Sequence, residues 1–216
     1  MNTTKKIAAR ARIYWAGALF LVFFTGLSGC ANLLRSGRPA LYDFGPGLRA
    51  TPPLTEARRA PVILGTIEAT PALESLSVHY RLVYANDQQF KPYSQARWSM
   101  APAQLIRQRL SEQLGQSRAI LNPGESGLAG TAEPATLRVD LEEFSQLFLT
   151  ATQSVGLVRL RATLIQPSQT PRVVQHSVVV QRPAASADAV GGVQALTAAT
   201  DAALLEIDAW LRLQAP

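Results

Sequence analysis

The sequence predicts an α+β fold: an antiparallel-rich mixed β-sheet packed against two α-helices. It forms a single domain, preceded by an export signal and a flexible tether. Three observations predict this. Apolar and polar residues alternate with period two over 76–84, 137–149, 155–166 and 173–182, the pattern of strands with one buried face. Two segments, 102–115 and 188–213, instead repeat their apolar residues at helical spacing. The first 30 residues run from basic to apolar to small, and end at the only cysteine of the 216-residue chain.

That N-terminal run has the parts of a secretory signal. Lys5, Lys6, Arg10 and Arg12 form a positive region free of acids, and Ile13 to Phe24 form an apolar one. The apolar stretch is about 12–17 residues, short of the roughly 20 that a spanning helix needs. Leu27-Ser28-Gly29-Cys30 resembles the lipobox of bacterial lipoproteins. The resemblance implies a diacylglyceryl group on the Cys30 thiol, cleavage before it, and acylation of the new amino group. The competing reading is a free thiol behind an ordinary signal, since an unpaired cysteine in an exported chain needs an explanation. Several acyl chains hold a membrane where one chain binds only marginally. Ala31, where the sorting pattern of enteric-type bacteria uses Asp for inner-membrane retention, points to the outer membrane.

The segments follow in order. Residues 1–29 are the cleaved signal and 30–60 a lipidated tether, rich in Arg, Pro, Gly and Thr and without periodicity. Within the tether, Tyr42 and Phe44 predict a short edge strand over 41–45, ended by Gly45-Pro46. The domain then spans 61–214. Val62 to Ala69, bounded by Pro61 and Pro71, reads as a strand, and Leu76 to Tyr84 as a second. Asn86-Asp87 turns the chain so that Gln89 to Tyr93 pairs back. Pro102 suits the first position of a helix carrying Leu105, Ile106, Leu110 and Leu114, with Gly115 at its end. Residues 120–130 are a Pro/Gly loop after one short strand.

Leu137 to Leu149 and Val155 to Gln166 form a hairpin whose apolar phase breaks at Glu142-Glu143. One extra residue there, a β-bulge, restores the register. It sets Asp140 opposite Arg161 and Glu142 opposite Arg159, where opposite charges contribute about 0.2–1 kcal/mol. It also turns Leu147, Leu149, Val155 and Leu157 outward near the hairpin tip. Either another element covers these four residues, or they form a contact surface for a partner, a sister subunit or lipid. Val173 to Arg182 is a further strand, and Asp188 to Leu213 the longest helix, with Ser186 or Asp188 as its cap. The predicted order is β-β-β-α-β-β-β-α.

Composition narrows the function classes. The signal holds four of the 21 basic residues and none of the 15 acidic ones, so its removal lowers the net charge from +6 to +2. The basic character is largely an export feature and does not argue for nucleic acid. The 187 residues left after the first 29 suffice for one substantial core. With one cysteine, no disulfide forms within the chain. The sequence holds no nucleophile elbow, zinc-protease motif, phosphate loop or Cys/His cluster. His79 and His176 fall on different strands, and Glu142 and Glu143 point to opposite faces of theirs. Asp201, Glu206 and Asp208 read as a solvated helix face, and Tyr80, Tyr84, Tyr93 and Trp98 as sheet packing. No catalytic, cofactor or metal site is expected.

Several features then coincide: the lipobox, Tyr42-Asp43-Phe44-Gly45, the Pro-bounded strand over 62–69, His79-Tyr80-Arg81, Ala96-Arg97-Trp98-Ser99 before Pro102, the bulged hairpin and the closing helix. Together they resemble the ABC-type transport auxiliary lipoprotein family, in its PqiC-like group, over most of 40–213. The resemblance implies a non-catalytic lipoprotein on the periplasmic face of the outer membrane. Its partners would be an MCE-domain protein with its ABC permease and ATPase, moving lipids or other apolar molecules and supporting membrane integrity. A second class remains open: an envelope assembly or structural lipoprotein that binds another outer-membrane protein or peptidoglycan. A third is a lipid carrier with its own apolar cavity.

Overall fold

Three of the strands expected from alternation lie side by side and form the backbone of the molecule. The computed structural model describes residues 37–47, 59–125 and 133–214; the export signal, Cys30 and much of the tether lie outside them. The elements are β1 (Ala40–Tyr42), β2 (Arg59–Ala69), β3 (Ser77–Leu82), β4 (Asn86–Trp98), α1 (Pro102–Gly115), β5 (Arg118–Leu121), β6 (Ala135–Phe148), β7 (Ser154–Gln166), β8 (Arg172–Pro183) and α2 (Ala189–Leu213). The described residues from Pro39 onward form one compact unit.

β6 is the axis of an eight-stranded mixed sheet. One edge of it pairs antiparallel with β7 along nearly its whole length, and β7 pairs antiparallel with β8. The other edge is shared. Its N-terminal half pairs parallel with β2, which leads to β5, and its C-terminal end pairs parallel with β3, which leads to β4 and β1. The long ladders are therefore antiparallel, and the short ones mostly parallel. Parallel partners need long crossovers, and α1 with β5 lies inside the one from β2 to β6. The expected order counts two strands too few: the return foreseen over 89–93 is the longer β4, which runs from Asn86 to Trp98, and the short strand foreseen before the Pro/Gly loop is Arg118–Leu121. The tether strand occupies 40–42 and not 41–45, because Phe44 leaves the sheet for the core.

The bulge falls where the phase break requires it. The register steps between Leu141 and Glu143, so Asp140 faces Arg161 as expected. Glu142 is the inserted residue, however, and Glu143 takes the place opposite Arg159. Glu142 accepts a hydrogen bond from Arg161 instead. Beyond the bulge Phe144 meets Val158, which keeps Leu137, Val139, Leu141 and Phe144 on the buried side with Leu164, Ala162 and Leu160.

Both helices pack on that buried side, α1 over β2 and β5 and α2 over β6, β7 and β8. Pro102 opens α1 without needing a backbone donor. Asp188 caps α2 by accepting from the Gly191 amide at 2.9 Å, and that bond holds its carboxyl below the usual range. Core anchors include Trp98, Phe144, Leu64, Ile106, Leu196 and Ile207. Each fully buried side chain of this size contributes about 1.5–3 kcal/mol.

Phe44 closes the core from the tether side. Its ring meets Trp98 edge-on at 5.7 Å and lies 6.2 Å from Phe144. Buried Arg109 donates to the Phe44 carbonyl and pairs with Asp201 at 3.2 Å. Burial raises the Asp201 carboxyl above the ordinary range, with Arg109 acting against it. A second charged cluster fastens the C-terminal end of α2. Asp208, expected on a solvated face, is only 2 % exposed. It accepts from Arg212 and lies 3.8 Å from Arg118 and 4.0 Å from Arg59. The helical stripe that buries Leu204, Ile207 and Leu211 carries Asp208 down with it, and arginines from two strands make that burial tolerable. Of the three acids, Glu206 is the exposed one.

Candidate docking end of the sheet

The tip of the β6–β7 hairpin is built by its turn. Thr150 Oγ1 accepts from the Gln153 amide at 3.0 Å, and the Leu149 amide donates to the Gln153 carbonyl at 2.9 Å. Other segments end at the same place because β3 runs parallel to β6, with Leu82 opposite Phe148. The Val83 amide donates to the Phe148 carbonyl, which ties the β3–β4 turn to the hairpin. The Ala184 amide donates to the Ser154 carbonyl, which brings the end of β8 and the start of α2 alongside.

Each of these segments carries an exposed apolar side chain: Val83 and Tyr84 in the β3–β4 turn, Leu149 after β6, and Val190 in the first turn of α2. The four residues singled out from the hairpin register divide. Leu149 is 46 % exposed, Leu147 and Val155 are half-buried opposite each other, and Leu157 is 7 % exposed. Leu149 is thus the most exposed of the four, Leu147 and Val155 pair beside it, and Leu157, opposite Ser145, is buried and no part of the surface. Val83, Tyr84 and Val190 escape a single-hairpin reading because they come from two other segments. Alternation over 76–84 puts Val83 and Tyr84 at the end of a strand, but that strand stops at Leu82 and leaves both in the turn.

A buried polar chain stiffens this end. The Tyr93 hydroxyl donates to Gln146 Oε1 at 2.8 Å, and Gln146 Nε2 donates to Ser154 Oγ at 2.8 Å. Burial, and then nearby Tyr80, pushes the Tyr93 hydroxyl far above the usual phenol range, so it stays a neutral donor. α2 packs directly onto this chain. A Cβ at Gly192 would overlap the Gln146 amide oxygen, and one at Gly156 would lie 2.6 Å from the Ala195 carbonyl carbon. Glycine at both positions lets the start of α2 approach the hairpin backbone.

The opposite face of the sheet carries a stacked cluster. His79 stacks on Phe90 at 4.1 Å, and Arg81 lies over the same ring and pairs with Glu143 at 3.0 Å. Burial, then Arg97, lowers the His79 pKa. His176 lies on the helix side, 3.0 Å from Glu206 and stacked on Trp210. The two histidines therefore share no site. Among the described residues, no group of three His, Cys, Asp or Glu side chains is placed to hold a metal ion. None of the described helices is long and apolar enough to cross a membrane.

Comparison with known proteins gives this arrangement a family. The model of the family described as "ABC-type transport auxiliary lipoprotein component" matches residues 42–208. The chain resembles the solved structure of XCC0632 from Xanthomonas campestris, a DUF330 protein, with a TM-score of 0.63 and 18% identity over 80% of this chain and 94% of that one. A second solved structure, of an uncharacterized protein, superposes with a TM-score of 0.59 and 12% identity, covering 81% of this chain and 99% of the other. At these identities the structures speak to fold alone. No curated protein matches the chain significantly. The family match runs from the Tyr42–Phe44 segment, through the bulged hairpin, to Asp208 in α2: the chain belongs to the ABC-type transport auxiliary lipoprotein family.

Proposed function

We propose that this protein is the outer-membrane-anchored docking component of an ABC/MCE transport system that moves lipids or other apolar molecules across the envelope. In this reading the acylated Cys30 holds the chain to the periplasmic face of the outer membrane, and the tether gives the domain its reach. The apolar end formed by Val83, Tyr84, Leu149 and Val190 receives the MCE-domain protein. The domain contributes contact and placement, and catalysis belongs to the ATPase of the complex, in keeping with an auxiliary component.

The observation that carries the reading is the gathering of exposed apolar side chains from three separate segments at one stiffened end, within a family of transport auxiliaries. Scattered single apolar residues are ordinary on protein surfaces, whereas a contiguous set marks a contact site. Purification of the full-length chain from detergent-solubilised membranes tests it. The expected product starts at Cys30, carries the mass of its acyl chains, and brings an MCE-domain protein with it. An unacylated chain, or one that retains no MCE-domain, permease or ATPase subunit, overturns the proposal.

A further inference from the structure

The outer edge of β8 is open along its length, and only its Pro183 end reaches the apolar end. β8 pairs only with β7, without a register shift, from Arg172 to Pro183. No backbone group of its outer edge over 172–182 finds a partner in another described element. A regular edge of this length presents a row of open donors and acceptors, and proteins normally blunt such edges. The other edges of this sheet are short, interrupted or capped; among the described residues β2 beyond Ile63 has no strand on its β5 side, and there Arg107 donates to the Leu64 and Gly65 carbonyls. β1 and β5 are three and four residues long. β4 is uncovered before Ala96, but that stretch carries Lys91, Pro92 and two register shifts against β3. β8 has no lysine, no bulge, and no proline before Pro183. Val173 and Val179 stand 58 % and 55 % exposed on its helix-free face.

The charges select the occupant. Arg172 and Arg182 are exposed at the two ends of the strand, and neither belongs to an ion pair among the described residues, although Arg182 donates to the Gln181 carbonyl at 3.0 Å. Ten residues apart, they lie about 33 Å from each other along an extended chain. A second copy of β8 is a poor fit. The antiparallel register that pairs the two strands over their full length, centred on Ser177, sets Arg172 opposite Arg182 at both ends, and like charges directly opposite are destabilising. An extended segment with an acidic residue at each end and β-branched residues between them meets both arginines and lays its apolar side chains beside Val173 and Val179.

We infer that β8 accepts an added strand from a partner protein: an extended, acid-flanked, β-branched segment that pairs with the open edge. The inference does not rest on the apolar end or on the MCE reading. The test uses full-length protein in detergent and two synthetic peptides. Each has alternating Val and Thr over nine residues, with Glu at both ends in one and Lys at both ends in the other. Hydrogen exchange and binding anisotropy are read for the wild type and for R172E/R182E. The Glu-ended peptide is expected to protect the β8 amides and to lose at least tenfold in affinity on the double variant, which binds the Lys-ended peptide instead. Three results overturn the inference: no protection of β8 by the Glu-ended peptide, equal affinity for both peptides, or β8 amides protected by protein concentration alone. The last would assign the edge to a second copy.

Discussion

Replacing Asp208 with Ala removes the acceptor that three arginines share. Arg118 is buried and would lose the only carboxylate within ion-pair range among the described residues. Arg59 and Arg212 are more exposed and regain water. Breaking a buried pair by deleting one partner costs about 3–5 kcal/mol. Among the described residues Oδ1 of Asp208 accepts no hydrogen bond and Nε of Arg118 donates none, so the pair is incompletely satisfied. The lower figure, about 3 kcal/mol, is therefore the expectation. For a domain of this size it lowers Tm by about 6–12 °C. The reverse deletion is asymmetric. Arg118→Met leaves Asp208 with the Arg212 donor, so it costs less, about 1–2 kcal/mol. Urea denaturation of both single variants and the double variant measures these values, and the double variant should cost less than the sum of the singles. Asp208→Ala at under about 1 kcal/mol, or Arg118→Met costing as much as Asp208→Ala, would refute the reasoning.

Two further outcomes follow from the geometry. Gly192→Ala gains about 1 kcal/mol of helix propensity but drives Gln146 out of its bonds to Tyr93 and Ser154. Overpacking costs about 1–3 kcal/mol and a stranded buried polar group about as much again, so a net loss of about 2 kcal/mol is expected in urea melts, relieved by adding Gln146→Ala. His79 is held below its ordinary pKa of 6.5, by burial first and Arg97 second. The unfolded chain then binds the extra proton as pH falls through about 6.5, so stability is full above that value and declines below it. His79→Phe keeps the stack on Phe90 and should flatten the slope between about pH 7 and 5; an unchanged slope would place the titration elsewhere.

Much of the sheet was legible because its signals are local. Alternation through Leu137–Leu141 and Val158–Leu164, with one phase break, suffices to place a bulge at Glu142-Glu143. Which glutamate is inserted depends on backbone geometry that polarity does not encode, hence the exchange of Glu142 and Glu143. β4 was read as a short return because Gln88, Gln89, Lys91 and Pro92 show no alternation. Its pairing depends on tertiary neighbours and two register shifts. The acids on α2 were assigned to solvent from their charge alone. Asp208 is buried because Arg118, ninety positions earlier in sequence, arrives beside it through β5. The apolar end was partly legible: Leu149 came from the hairpin phase, whereas Val83, Tyr84 and Val190 come near it only through the parallel pairing of β3 with β6 and the return of α2.

The claim that the apolar end receives the partner is tested most directly by a matched pair of surface substitutions. Leu149 at the tip and Leu205 on α2 are 46 % and 53 % exposed, so arginine at either position leaves the core intact. Affinity for the periplasmic part of an MCE-domain protein is measured with each full-length variant in detergent. Leu149→Arg is expected to weaken binding at least tenfold, about 1.4 kcal/mol, with melting unchanged and Leu205→Arg binding as the wild type does. Undiminished binding by Leu149→Arg, or equal loss in both variants, would contradict the account.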